Sequence, residues 1–185
     1  MRRGSAWPGR FSAMPRNVEI KARLTDLAAT RALVAAAADR GPELLAQTDT
    51  FFQVPGARLK VRECSGRPAE LIYYRRPDTP GPSESQWAKI AVPDADALRE
   101  LLASALGIRG QVVKRRTLFW VGRTRVHLDE VRDLGDFLEL EVVLRDGEEL
   151  GVGTQEAHRL LRLFGIPDDA LVPEAYVDLL AAARA

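Results

Sequence analysis

Five short stretches of this chain set charged side chains two residues apart. Glu19 and Lys21 alternate with Val18, Ile20 and Ala22, and Lys60 and Arg62 alternate with Leu59 and Val61. Lys114 and Arg116 follow Val113, while Arg123, Arg125, His127 and Asp129 interleave with Val126 and Leu128. Glu139 and Glu141 alternate with Leu138, Leu140 and Val142. Residues two apart on a β-strand share a face, so each stretch gathers its charges on one side. Clustered Arg and Lys suit phosphate oxygens, Arg as a bidentate fork and Lys as a point charge. The carboxylates suit a hard divalent cation, which would also bridge them to phosphates that they otherwise repel.

Such side chains need elements to hold them. Residues 17–22 alternate polar and apolar and read as a first strand. Thr25 can cap a helix running to about Asp39, closed by Gly41-Pro42. Strand-like stretches follow at 45–54, 58–63, 70–76 and 85–92, separated by Pro55-Gly56, Ser65-Gly66 and a Pro/Gly-rich loop at 78–83. Asp94 caps a second helix with Leu98, Leu101, Leu102 and Ala105 as its buried stripe, ended by Gly107. Strands at 112–121, 123–131 and 137–144 come next, then a helix from Thr154 to Phe164 and a last short helix starting at Pro173. Eight strands, mostly in hairpins, with four helices predict an α+β fold in which an antiparallel sheet closes into a small barrel.

One such strand alone would be an ordinary amphipathic strand with its charges in solvent. Repetition over five changes the reading, because the helices carry apolar stripes that must cover something. If they cover the barrel's outer apolar face, the charged faces point inward. The inward cations are then Lys21, Lys60, Arg62, Arg75, Lys89, Lys114, Arg116, Arg123 and Arg125, against Glu19, Asp129, Glu139 and Glu141. A confined excess of cations requires a counter-ion, and a polyanion is the natural occupant.

The bulk composition narrows the partners. With 185 residues and a formal charge of +1, the chain fits one domain with no global attraction to nucleic acid or a membrane surface. Cys64 is the sole cysteine, so no intrachain disulfide can form, which suits a reducing cytoplasm. His127 and His158 are the only histidines, so the expected ligands are carboxylates and the expected ion Mg²⁺ or Mn²⁺. Residues 1–14 read as a leader, either an upstream start with Met14 as the working initiator or an organelle transit peptide, followed by one domain over 15–181 and a tail at 182–185.

The ordered set of these stretches resembles the CYTH superfamily, the triphosphate tunnel metalloenzymes named for class IV adenylate cyclase and thiamine triphosphatase. Its first-strand signature, E-x-E-x-K, appears as Asn17-Val18-Glu19-Ile20-Lys21, with Asn17 replacing the first Glu. Asp49-Thr50-Phe51-Phe52, Arg58 to Glu63, Leu71 to Arg75 and Lys114-Arg115-Arg116 are similar to the following strands. Val126-His127-Leu128-Asp129 and Leu134-Gly135-Asp136-Phe137-Leu138-Glu139-Leu140-Glu141 match the metal-binding end, and Tyr176 to Leu180 its close. The resemblance implies an eight-stranded tunnel in which Lys21, Lys60, Arg62, Arg75, Lys114, Arg116 and Arg125 hold a triphosphate. Lys21 and Arg116 are the expected catalytic side chains. Glu19, Glu139 and Glu141 would hold Mg²⁺ or Mn²⁺, Asp129 would support the metal or orient a basic neighbour, and Asn17 offers one neutral oxygen without charge.

Two reactions fit such a site: cyclisation of ATP with loss of pyrophosphate, or hydrolysis of thiamine triphosphate, a nucleoside triphosphate or tripolyphosphate. Short tripolyphosphatases of the superfamily pair a Lys with a Tyr near the first helix, and here no Tyr precedes Tyr73, which favours the cyclase-like reading. A binding module for nucleotides or polyphosphate is the reading from another class. Trp87 and Trp120 read as packing residues, and Tyr73 as a candidate to reach the lumen beside Arg75.

Overall fold

The computed structural model describes residues 14–79 and 81–184; most of the expected leader lies outside them. Its elements run β1 (Arg16–Arg23), α1 (Leu27–Ala37), β2 (Arg40–Phe52), β3 (Arg58–Cys64), β4 (Arg67–Arg75) and β5 (Ser83–Val92). They continue as α2 (Ala95–Leu106), β6 (Ile108–Val121), β7 (Thr124–Val131), β8 (Gly135–Val143), α3 (Leu150–Leu163), a short 3₁₀ turn (Asp168–Ala170) and α4 (Tyr176–Ala182). The eight strands form a closed antiparallel barrel in the order β1-β5-β4-β3-β2-β6-β7-β8, as the alternation predicts.

The apolar core lies outside this barrel. Val18 and Ile20 of β1, Val126 and Leu128 of β7, and Leu138, Leu140 and Val142 of β8 point away from the lumen. They are buried against Val34 of α1 and Ala157, Leu160 and Leu161 of α3. Each such side chain contributes about 1.5–3 kcal/mol on burial. A second cluster joins Phe51, Val112, Val131 and Phe137 to Tyr176, Val177 and Leu180 of α4. The inward-charge expectation therefore rests on real packing: the helices occupy the apolar side and leave the polar side to the lumen.

Several boundaries differ from the sequence expectation. Asp26, not Thr25, caps α1, its Oδ1 accepting from Ala29 N at 2.9 Å. Gly41-Pro42 lies within β2, where the pairing with β6 shifts register between Arg40 and Glu43. A Cβ at Gly41 would meet the Leu118 carbonyl oxygen at 2.8 Å, so only glycine lets the two backbones approach there. α3 starts at Leu150, four residues before Thr154. Gly153 then sits in the helix, where a Cβ would meet Val18 Cγ2 at 2.7 Å, so it permits close seating of α3 on β1. The last helix starts at Tyr176 rather than Pro173. On α2 only part of the expected stripe is covered: Leu98 and Leu102 are half-buried, while Ala105 is exposed and Leu101 is 64% exposed.

Candidate functional site

The lumen encloses about 750 Å³, within the usual range for small-molecule sites. Strand register arranges its charges in rows. Across β1, β8 and β7, Glu19 faces Glu141, which faces Arg125. In the neighbouring row Lys21 faces Glu139, which faces His127. One step further Asp129 faces Arg116 on β6.

Two buried carboxylates organise the cations. Asp49 accepts from Lys60 Nζ at 2.7 Å and from Arg62 Nε and Nη2, each at 2.7 Å. Asp129, fully buried, accepts from Lys114 Nζ at 2.9 Å, Arg116 Nε at 2.6 Å and Nη2 at 2.7 Å, and the Tyr176 hydroxyl at 3.1 Å. Burial would raise both carboxyl pKa values, but the adjoining cations outweigh it and hold both well below the ordinary range. Each acid is shared by one Lys and one Arg; around Asp49 this leaves an excess of positive charge, whereas Arg116 beside Asp129 is also paired with Glu139. Lys21 donates to the Glu174 carbonyl at 2.8 Å and lies 4.2 Å from the centre of the Tyr176 ring. Its pKa falls to about 8, mainly through burial.

Glu19, Glu139 and Glu141 all line the lumen from the adjoining strands β1 and β8, but the group whose donor atoms lie within 4.8 Å of one another is Glu139, Glu141 and His127, without Glu19. Arg116 Nη2 donates to Glu139 at 2.6 Å, and Arg125 Nε lies 2.7 Å from Glu141 Oε2. Burial, with the negative charge of Glu141 and Glu139, pushes the Glu19 carboxyl up to about 7. Burial would raise Glu139 and Glu141, but both are instead held below the usual range, first by His127 and then by the adjoining cations, Arg116 and Lys21 for Glu139 and Arg125 for Glu141. One carboxylate that resists ionisation beside two that are ionised suits a divalent cation, whose charge would favour the ionised form of all three. His127 adjoins them; burial and the Arg116 charge push its pKa down and favour the neutral imidazole.

Other placements depart from the sequence reading. Arg75 is exposed, on the outer face beside Tyr73, which likewise points away from the lumen. Tyr74 and Arg76 line the cavity instead; Arg76 lies 3.8 Å from Glu19 Oε2 and donates to the Pro173 carbonyl at 2.7 Å. Arg123 belongs to the turn before β7 and donates to Glu148 at 2.5 Å, outside the lumen lining. Lys89 lines the lumen but is paired with Glu70 and about half exposed. Asn17, in the carboxamide orientation that satisfies its neighbours, accepts from Trp87 Nε1 at 3.1 Å and Arg125 Nη2 at 2.9 Å. Its oxygen is therefore engaged by protein donors. Trp87 and Trp120 both line the cavity, and Phe51 contributes to the lining as well as to the core. Asp49, Arg76 and Tyr176 were absent from the expected set, although Asp49 shares the parity of Gln47 and Phe51.

Lys60 yields a pH prediction. Burial and the Arg62 charge lower its pKa to about 8 against the pull of Asp49. Below pH 8 the ammonium is charged in both folded and unfolded chains, and folding carries the full penalty. Between pH 8 and 10.5 the folded form loses the proton first, so stability of the unliganded protein should rise with pH, by on the order of 3 kcal/mol at most. Urea melts at pH 7.5 and 9.5 should show this rise, flattened in Lys60→Met; equal slopes in both proteins would refute it.

The CYTH domain matches residues 15–176. The chain belongs to the CYTH family. An adenylate cyclase, CyaB, from Aeromonas hydrophila is 27% identical over 181 residues, covering 91% of this chain and 87% of that one. The PH1012 protein of Pyrococcus horikoshii OT3 shares the fold at TM-score 0.80 and 22% identity, over 88% of this chain and 98% of its own. HpAC1 from Hippeastrum, an adenylyl-cyclase candidate described as having a dominant triphosphatase activity, superposes at TM-score 0.64 and 17% identity, over 90% and 96%. Among the described residues no helix is long and apolar enough to cross a membrane.

Proposed function

We propose that this CYTH protein is a divalent-metal-dependent enzyme that binds a triphosphate in its tunnel, with conversion of ATP to cyclic AMP and pyrophosphate as its first-choice reaction. The carrying observation is the sharing of the single carboxylate of Asp49 by Lys60 and Arg62, which leaves positive charge in excess on a lumen wall that Lys114, Arg116 and the glutamates also line. Lys60, Arg62, Lys114, Arg116, Arg125 and Arg76 are the phosphate-binding set in this reading, with Arg76 replacing Arg75. Glu19, Glu139 and Glu141 would hold Mg²⁺ or Mn²⁺, which when bound supplies charge neutralisation on phosphate oxygens. Asp129 fixes Lys114 and Arg116 rather than contributing a ligand.

In the cyclase reaction the ribose O3′ forms a bond to the α-phosphorus as the bond to the pyrophosphate oxygen breaks. Lys21, with its pKa near 8, has a neutral fraction able to take the O3′ proton. Arg116, locked by Asp129, faces the charge that develops on phosphate oxygens. The same Lys21, stacked on Tyr176, also suits activation of water, and this pairing favours a triphosphate hydrolase as the second reading.

Purified protein incubated with Mn²⁺ or Mg²⁺ and ATP, thiamine triphosphate or tripolyphosphate separates the possibilities. Cyclic AMP with pyrophosphate supports the cyclase, orthophosphate supports the hydrolase, and tight binding without product supports a binding module and sinks the enzymatic reading. The placement of β4 adds a prediction. Arg76→Ala should weaken tripolyphosphate binding about tenfold or more by calorimetry, the loss of one charge-assisted contact, while Arg75→Ala should change it less than about twofold. Equal effects would argue against Arg76 as the phosphate contact.

A further inference from the structure

The carboxylate cluster has a fourth neighbour of different chemistry. His127 faces Glu139 across the β7–β8 pairing and is 3% exposed. Its Nδ1 is buried and has no hydrogen-bond partner. That atom lies 3.8 Å from Glu139 Oε2 and 3.7 Å from Glu141 Oε1, too far for a hydrogen bond to either. Donor atoms from His127, Glu139 and Glu141 nonetheless all lie within 4.8 Å of one another. An imidazole nitrogen held unpaired against two carboxylates is a mixed nitrogen–oxygen donor set, and a cation among them would satisfy all three groups at once.

We propose that His127 is a direct ligand of the cation held by Glu139 and Glu141, and that it selects first-row transition ions over Mg²⁺. This rests on the reading that the carboxylate cluster binds a divalent metal. Mg²⁺ is a hard ion that favours oxygen donors and gives up water reluctantly, so a nitrogen ligand adds little for it. Mn²⁺ and Co²⁺ stand higher than Mg²⁺ in their acceptance of imidazole, with Co²⁺ above Mn²⁺ for a given mixed site. The site then discriminates by donor type at one position, while the glutamates supply charge to any divalent ion.

Titration calorimetry with Mn²⁺, Co²⁺ and Mg²⁺ tests the preference, and pulsed electron paramagnetic resonance of the Mn²⁺-loaded protein tests the bond. The wild-type protein should bind Mn²⁺ and Co²⁺ at least tenfold more tightly than Mg²⁺, and should show a ¹⁴N coupling to Mn²⁺. His127→Gln should reduce Mn²⁺ and Co²⁺ affinity about tenfold or more, change Mg²⁺ affinity little, and abolish the coupling. Labelling histidine with ¹⁵N must convert the coupling in the unaltered protein, which decides the matter even if the variant folds poorly. His158, the other histidine, lies on α3 outside the lumen lining. Mn²⁺ binding that depends on Glu139 but lacks a nitrogen coupling, or an unchanged Mn²⁺-to-Mg²⁺ ratio in His127→Gln, overturns the proposal alone. Failure of the wild-type protein to bind Mn²⁺, or binding unaffected by Glu139→Gln, overturns the metal reading and this proposal with it.

Discussion

Asp129→Asn should cost the unliganded protein about 3–5 kcal/mol, the usual result of removing one partner from a buried ion cluster. The substitution keeps shape and a hydrogen-bonding oxygen but removes the charge that Lys114 and Arg116 share. Both cations are only 4% and 5% exposed, so solvent offsets little of the lost charge, and Arg116 alone retains an acidic partner, Glu139. Against the 5–15 kcal/mol typical of a domain, the loss is a large share of total stability, and a melting-temperature drop on the order of 10 °C should follow. Urea denaturation gives the free energy directly. Tripolyphosphate should restore part of the loss if it reaches Lys114 and Arg116. A change below about 1 kcal/mol would mean that water or another acid compensates these cations, and the proposed organising role of Asp129 would fail.

Glu139→Gln and Glu141→Gln should each lower metal-dependent turnover by at least about a hundredfold, since each removes a charge that a divalent cation needs. Binding of the triphosphate should behave differently. Glu139 accepts from Arg116 and Glu141 is ion-paired with Arg125, so each substitution removes a negative charge and makes the lumen more positive, although Arg116 stays held by Asp129. KM for the triphosphate should therefore stay the same or fall while kcat collapses. A rise in KM with unchanged kcat would recast the two glutamates as substrate-positioning groups. Full activity in both variants would remove the metal assignment.

The barrel was legible because alternation along β1, β3, β7 and β8 is nearly unbroken, and a period of two has one interpretation when one face is apolar. β4 defeated the same logic. In Ile72-Tyr73-Tyr74-Arg75-Arg76 each face receives one aromatic and one arginine, so composition carries no phase and only the pairing with β3 and β5 decides it. Arg123 shares the parity of Arg125 but precedes the strand, where side-chain direction no longer follows the pleat. Asp49 was obscured because both faces of β2 mix polar and apolar residues there, with Thr48 and Thr50 alternating against Gln47, Asp49 and Phe51. Tyr176 reaches the lumen from a helix far along the chain, and no local pattern announces such a contact. The start of α3 was hidden by Gly151 and Gly153, poor helix formers; Gly153 is kept for the close approach to Val18.

The external core has a practical outcome for finding the physiological ligand. The apolar contacts of its larger cluster lie between helices and barrel, on the side of the strands away from the lumen. Any occupant that balances the lumen's excess cations adds directly to the folding free energy by mass action. Melting temperature thus becomes a gauge of occupancy, and a panel of phosphorylated metabolites could be ranked by thermal shift before any reaction is known.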